Sequence, residues 1–264
     1  MAMHWVLQEN IFNEAGFERL TEALQRLELP YSVHKVIPFV GELQPEPVIA
    51  PETKGVIVMG SYSMAKYAAK RGWVPGSYIG ENLDFEVQRA HWGEMMFNFD
   101  GVVCPFGKVP EQPLPFFIRP TEDSKAFTGL VQDWPTFVEW RDNVLALGED
   151  SGATLTGETP VLVAPKREIL GETRTWIVDG KVVTASGYKV GSFPRHNAQV
   201  DERIIAYANA CAEIWSPLRA YVLDVFDTPA GLRIGEVNNI NSAGFYAADL
   251  IRLVISLETL EGAR

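Results

Sequence analysis

The sequence predicts a mixed α/β and α+β chain, a small N-terminal α/β lobe followed by a C-terminal half rich in antiparallel hairpins. Three observations carry this. From His4 to Arg71, short apolar runs alternate with one-sided helical patterns, the order expected of a largely parallel sheet. In the C-terminal half, Asp179-Gly180 sits between two β-rich runs, the strongest two-residue hairpin signal in the chain. Farther on, residues 221–245 set two more such runs around Thr228-Pro229-Ala230-Gly231, a second antiparallel hairpin.

In chain order, residues 4–8 read as a first strand. Phe17, Leu20, Leu24 and Leu27 recur at helical spacing through residues 15–29, and Pro30 stops that helix. Strands follow at 31–37 and 55–59, separated by a proline-rich connection, then a helix over 61–71. A helix interrupted near Gly93 fits 84–98, and short strands at 102–105 and 116–119 flank a second proline-rich turn. Residues 134–147 keep a helical pattern through Phe137, Val138, Val144 and Leu145. A polar, glycine-containing loop follows at 148–157. We therefore expect an N-terminal domain over 1–110 and a second over 111–264, with a subdomain break near 148–160. Beyond it come a strand at 161–164, hairpin strands at 173–178 and 181–186, and an amphipathic helix at 201–215. Residues 247–260 close the chain as a helix with Leu250, Leu253, Val254 and Leu257 on one face.

At 264 residues the chain is long enough for a large core in two or three lobes. A formal net charge of −11 argues against broad nucleic-acid binding by bulk attraction, though not against a local basic groove. Cys104 and Cys211 are too few and too far apart for a disulfide framework or a zinc site, so a reducing compartment is the simpler reading. The first residues lack the basic and apolar regions of a signal peptide, and no apolar run approaches the length of a membrane span. The expectation is a soluble, cytoplasmic protein. Its oligomeric state is open, a homo-oligomer among the options.

Chemistry concentrates in the second hairpin. Asp224, Glu236 and Asn238 stand there among Val222, Leu223, Val225, Ile234 and Val237, residues that favour burial. Acidic side chains seldom sit buried unless paired or metal-bound. In the register that pairs Asp224 with Ile234, the strand period of two puts all three on one face, whereas a one-residue slip separates Asp224. Two carboxylates and an amide oxygen are hard ligands suited to Mg²⁺ beside phosphates. Without a cation they repel, and one takes up a proton. A solvated hairpin face with scattered charges is the alternative.

Familiar nucleotide and hydrolase motifs are missing. Residues 101–109 come nearest to a phosphate-binding loop, but the spacing is one residue too long and Val109 has no hydroxyl for Mg²⁺. No GxGxxG follows a strand, and Gly60-Ser61-Tyr62-Ser63 is a helix start rather than a nucleophile elbow, with anion binding as its other reading. His4, His34, His91 and His196 show no paired metal spacing. Lys181 follows Asp179-Gly180 as turn chemistry. More suggestive is FFIRPTEDSKAFTG at 116–129, where Arg119 ends an apolar strand and Lys125 follows in a turn. The two can meet a polyphosphate or pair with Glu122 and Asp123. Glu172 and Arg174 are two apart and share a strand face, where a cross-strand salt bridge is the simpler account.

Taken in order, these segments resemble the ATP-grasp superfamily over about half the chain, from residue 116 to 250. Four blocks carry the resemblance: FFIRPTEDSKAFTG, then VLVAPKREILGETR at 161–174, then the hairpin WIVDGKVVTASGY at 176–188. Last comes Asp224 with Glu236-x-Asn238, followed by the small-residue loop NSAGFYAADL at 241–250. The resemblance implies ATP held between two α+β subdomains, with the preceding α/β domain helping to form the substrate site. It implies Asp224, Glu236 and Asn238 as Mg²⁺ ligands and Arg119 and Lys125 as phosphate-binding cations. The backbone of Val163, Ala164 and Pro165 would meet the adenine and Glu168 the ribose. Glu172 and Arg174 would enter the hairpin, with Arg174 facing phosphates or the reacting carboxylate, and Asn241 and Ser242 would approach the γ-phosphate or substrate. The chain departs from the pattern in placing an arginine, Arg119, on the strand where a lysine is usual. It also has a short, glycine-poor loop at 123–129 and an overall length small for the class.

That resemblance implies an ATP- and Mg²⁺-dependent carboxylate–amine ligase acting on small-molecule or peptide substrates through an acylphosphate. Arg174 and Lys125 would be its catalytic cations. An ATP-grasp kinase, or a nucleotide-binding module without turnover, are the alternatives.

Overall fold

A computed structural model describes residues 2–9, 14–38, 40–80, 83–121, 126–148 and 152–263. The order of elements begins with β1 (His4–Gln8), α1 (Glu14–Arg26), β2 (Tyr31–Val36), β3 (Leu43–Gln44), β4 (Val56–Met59), α2 (Tyr62–Lys70) and β5 (Pro75–Gly76). These strands form one sheet in the order β3-β2-β1-β4-β5, parallel except for the β2–β3 hairpin at its edge. The central strands are apolar on both faces, as a covered parallel sheet requires. Trp5, Leu7, Ile57 and Met59 pack with Leu20 and Leu24 of α1, whereas Val6, Val56 and Val58 pack with Met64, Tyr67 and Ala68 of α2.

The middle of the chain holds α3 (Phe85–Trp92), β6 (Val102–Pro105), β7 (Phe116–Pro120), β8 (Leu130–Gln132), α4 (Trp134–Leu147) and β9 (Pro160–Pro165). Its sheet runs β6-β9-β7-β8, with every neighbour antiparallel. Phe106, Phe116, Ile118, Phe137, Val161 and Val163 form its core, edged by Trp134 and Trp140. Asp133 caps α4 by accepting from the Thr136 N–H at 2.9 Å, and Pro135 sits in the first turn, where no backbone donor is needed.

The last part contains β10 (Gly171–Val178), β11 (Lys181–Val190), β12 (Phe193–Asn197), α5 (Glu202–Ile214), β13 (Ala220–Thr228), β14 (Gly231–Asn239) and α6 (Leu250–Gly262). Its sheet order is β12-β11-β10-β13-β14. Leu250, Leu253, Val254, Leu257 and Leu260 of α6 share a single buried cluster with Trp5, Leu7, Trp176, Val178, Ala220 and Val222. One helix thus serves the N-terminal sheet and the hairpin sheet together.

Two compact units result. One gathers residues 1–81, 170–227 and 236–264; the other gathers 82–169 and 228–235. The division expected at residue 110 does not coincide with them, because β6 precedes that point and pairs with β9 beyond it. The expected strands and helices are all present. Among the described residues, four short strands, β3, β5, β8 and β12, are additional to them. Among the described residues no helix is long and apolar enough to cross a membrane.

A buried polar chain ties the N-terminal sheet. His34 Nδ1 lies 2.5 Å from the Pro45 carbonyl, which only accepts, so that nitrogen carries the proton. The bare Nε2 of His34 then accepts from the Ser32 hydroxyl at 2.7 Å, and Ser32 Oγ accepts from His4 Nε2 at 2.9 Å. Burial lowers both imidazoles from the ordinary 6.5; His34 lowers His4 further, while the Pro45 hydrogen bond works the other way on His34. A lowered folded pKa means that the unfolded chain binds the extra protons, so stability is full above about 6.5 and falls as the pH drops below it. We therefore expect the thermal midpoint to fall between about pH 7.5 and about pH 5.5. In the double variant His4→Gln, His34→Gln the profile should be flatter over that interval, and equal slopes by calorimetry would refute the assignment.

Candidate nucleotide and metal site

Strand register builds the site. On β10 and β13, Arg174 lies directly opposite Asp224, Trp176 opposite Val222 and Val178 opposite Ala220. Residues opposite one another share a face, so the face that buries Trp176 and Val178 against α6 continues outward into Arg174 and Glu172. There it turns polar. Arg174 Nε and Nη2 each donate to one oxygen of Asp224 at 2.8 Å, a bidentate fork with both side chains buried.

Glu172 is held from β11. Lys189 Nζ donates to Oε1 at 2.7 Å and the Tyr188 hydroxyl donates to Oε2 at 2.7 Å. The same hydroxyl lies 3.5 Å from Asp224 Oδ2 and links the two carboxylates. Tyr188 gets there through a bulge: Glu172 faces Lys189 and Thr173 faces Gly187, leaving Tyr188 as the extra residue on β11. Tyr246, from the loop after β14, stacks on Tyr188 with ring centroids 4.9 Å apart and planes 14° from parallel. The Arg174 guanidinium lies 5.2 Å from the Tyr246 ring centre and 5.7 Å from that of Tyr188.

The electrostatics follow from burial. Burial pushes the Asp224 carboxyl up, the hydrogen bonds and charge of Arg174 pull it back, and Glu172 adds to the rise. The bidentate geometry is that of an ionised carboxylate. Burial opposes the charge on Arg174, but Asp224 more than restores it, so the guanidinium stays cationic. The Tyr188 phenol is raised by burial, then by the charge of Asp224 and the hydrogen bond to Glu172, and stays a neutral donor. Tyr246 is raised by burial against the pull of Arg174, with Asp224, Glu172 and Glu236 all adding to it.

On β14, Glu236 is exposed and Asn238 half-buried on either side of buried Val237, so the two occupy the face opposite to it. Among the described residues no three His, Cys, Asp or Glu side chains are grouped to hold a metal by themselves. Asp224, Glu236 and Asn238, the residues expected to hold a metal, offer two carboxylates and an amide oxygen. These donors fit Mg²⁺.

The remaining expected residues are dispersed. Asn241 is buried with its amide committed, Nδ2 donating to the Val58 carbonyl and Oδ1 accepting from the Tyr78 N–H at 2.8 Å, while its own carbonyl accepts from the Gly60 N–H at 2.8 Å. It fastens the loop to the end of β4. Ser242, next to it, is exposed. In the other unit, Arg119 lies on β7 with its guanidinium 5.7 Å from the Phe85 ring centre. Val163 pairs with both β6 and β7, but Ala164 and Pro165 pair only with β7, which leaves their β6-side edge outside the ladder. Glu168 is exposed. Lys125 lies outside the described residues. Tyr188, Lys189 and Tyr246 carry no motif that singles them out in sequence, although the bulge-forming Gly187-Tyr188 and the loop Gly244-Phe245-Tyr246 are visible there.

The buried fork makes a stability prediction. Arg174→Ala should cost about 3–5 kcal/mol in urea unfolding because it strands the Asp224 carboxylate in the interior. The paired variant Arg174→Met, Asp224→Leu should recover most of that loss, and a paired variant no better than the single one would sink the account.

No curated protein matches this chain. Its fold is shared with solved ligases. The D-cycloserine synthetase DcsG is 14% identical with a TM-score of 0.59, covering 98% of this chain and 99% of that one. The ATP-grasp ligase PsnB, complexed with a minimal precursor, is 13% identical at TM-score 0.59, covering 98% and 100%. The D-alanine–D-alanine ligase of Bacillus anthracis, complexed with ATP, is 12% identical at TM-score 0.62, covering 99% and 98%. At such identities the likeness is one of fold. A family model, however, an ATP-grasp domain numbered third among the families of its clade, matches residues 44–257. By that match, the chain belongs to the ATP-grasp domain family.

Proposed function

We propose that this protein is an ATP- and Mg²⁺-dependent ligase that activates a carboxylate and joins it to an amine, releasing ADP and phosphate. The observation that carries the reading is the buried Arg174–Asp224 fork. A fixed, permanently charged guanidinium beside hard oxygen donors suits a metal-bound polyphosphate.

Asp224, Glu236 and Asn238 would hold Mg²⁺, which when bound supplies positive charge to the phosphate oxygens. Asp224 can serve Arg174 and a cation together, since each carboxylate oxygen has two lone pairs. Arg174 would face the terminal phosphoryl, with Glu172 steadying the strand beside it through Lys189 and Tyr188. Arg119 and Lys125 are assigned to the phosphates, the backbone of Val163, Ala164 and Pro165 to the adenine, and Glu168 to the ribose, roles that rest on the family pattern. Ser242 is assigned to the substrate end, with Asn241 fixing its loop.

The chemistry balances without a side-chain nucleophile. A substrate carboxylate oxygen attacks the γ-phosphorus, the bond to the β,γ-bridging oxygen breaks, and ADP leaves. The amine nitrogen then adds to the acyl carbon, phosphate departs, and the ammonium proton passes to solvent. Arg174 contributes by holding charge where it develops, and positioning supplies much of the rest. The substrates are a small-molecule or peptide carboxylate and an amine.

Glu236→Ala should weaken Mg·ATP binding at least about tenfold by calorimetry while leaving metal-free ATP binding little changed, as expected when one of three metal ligands is lost. Equal binding in wild type and variant would remove Glu236 from the metal site. Product mass tests the reaction among candidate acids and amines. An amide with ADP is expected, a lasting phosphorylated acid marks a kinase, and no ADP release marks a binding module. Arg174→Lys, which keeps charge but loses the fork, should lower kcat about a hundredfold. An unchanged kcat would remove Arg174 from the chemical step.

A further inference from the structure

Tyr246 is an unusual residue to find where it is. Its φ is +47°, in the left-handed region that a bulky side chain seldom adopts without being held there. The restraint comes from the N-terminal helix. Arg19 of α1 donates from Nη1 to the Tyr246 carbonyl and from Nη2 to the Ala248 carbonyl, clamping both sides of Ala247. Two further hydrogen bonds fix the stretch that follows. The Ala247 N–H donates to Ser186 Oγ at 3.0 Å and the Asp249 N–H to Thr184 Oγ1 at 2.9 Å, both on β11. The loop is therefore tied to α1 on one side and to β11 on the other, and its ring is delivered onto Tyr188 and Arg174.

We propose that Arg19 is a positioning residue: by holding the Tyr246 and Ala248 carbonyls it keeps the Tyr246 ring on Arg174 and so sets how that guanidinium meets the terminal phosphoryl of ATP. The second half rests on the function proposed above. The geometry explains why an arginine is used. One planar fork spans two carbonyls two residues apart, which a lysine ammonium satisfies less well. It also gives the N-terminal helix a part in reading the nucleotide, although α1 carries no group of its own in the cluster described around Arg174. Arg174 is fixed along its edge by Asp224 and across its face by the tyrosines. Removing Arg19 frees the face while leaving the edge intact.

The test compares Arg19→Ala, Arg19→Lys and Tyr246→Ala with the full-length wild type, each first checked for a cooperative thermal transition. Protein labelled with 3-fluorotyrosine reports the Tyr246 ring by fluorine resonance, assigned through its loss in Tyr246→Phe. Arg19→Ala should move that resonance toward the value of a solvated tyrosine, and Arg19→Lys should move it less; an unmoved resonance overturns the proposal whatever the protein binds. Calorimetry with Mg·ATP and Mg·ADP then reads the consequence. Arg19→Ala and Tyr246→Ala should bind Mg·ATP about tenfold more weakly with Mg·ADP unchanged, the size expected for one partly desolvated cation–π contact. Equal weakening of both nucleotides would mean a merely structural part for Arg19, and unchanged affinity for both would sever the link to Arg174. Wild type that binds neither nucleotide defeats the function proposed above and the phosphoryl-reading half of this proposal, while the resonance still decides whether Arg19 sets Tyr246.

Discussion

The fork between Arg174 and Asp224 is the constraint around which the site is built. Taking an ion pair out of water is expensive unless geometry is good and the remaining lone pairs are satisfied. Here the two strands supply the geometry, because β10 and β13 place the residues directly opposite one another. Burial then forces further partners. Tyr188 bridges Asp224 to Glu172, Lys189 neutralises Glu172, and two aromatic rings cover the guanidinium. Few of these side chains can be changed alone without leaving another in difficulty.

The same strands connect the site to the core. Along β10, the period of two carries Glu172, Arg174, Trp176 and Val178 on one face, polar at one end and buried against α6 at the other. The helix that packs there also packs on the first sheet through Trp5 and Leu7. The loop leaving β14 is fixed from that first sheet as well, since Asn241 reaches Val58, Tyr78 and Gly60. An N-terminal segment without a readable catalytic motif therefore acts by holding the loop in place.

What could be read from the sequence, and what could not, follows from the range of the interactions. The helix over Trp134–Leu147 was legible because Phe137, Val138, Val144 and Leu145 recur at helical spacing before a glycine-containing loop. The hairpins were legible from their turns. Strands of two to five residues at sheet edges, β3, β5, β8 and β12, carry too little periodicity to register. Asp224, Glu236, Asn238, Glu172 and Arg174 stood out because acids and arginines inside β-rich runs demand explanation. Their partners did not stand out. The salt bridge expected near Glu172 exists, but its cation is Lys189 of the next strand, while Arg174 turns to Asp224. That choice depends on a bulge between Glu172 and Thr173 and on a pairing 50 residues away. Nothing local encodes either.

A carboxylate already gripped by arginine would, taken alone, be a poor metal ligand, and in the proposed site the resolution lies in how the three expected oxygen donors differ. Asp224 is the buried one, its orientation fixed by Arg174, so it adds almost no motional freedom for a cation to quench. Glu236 is exposed and Asn238 half-buried, so these two keep the reach to adjust to an ion's geometry. A rigid anchor with two adaptable ligands suits Mg²⁺, which demands near-octahedral oxygens yet keeps several waters of its own. Arg174 also neutralises Asp224, the carboxylate that burial would otherwise leave uncompensated. On the proposed function, the arginine that would meet the phosphoryl group is thus also the one that orients the first of the expected metal ligands.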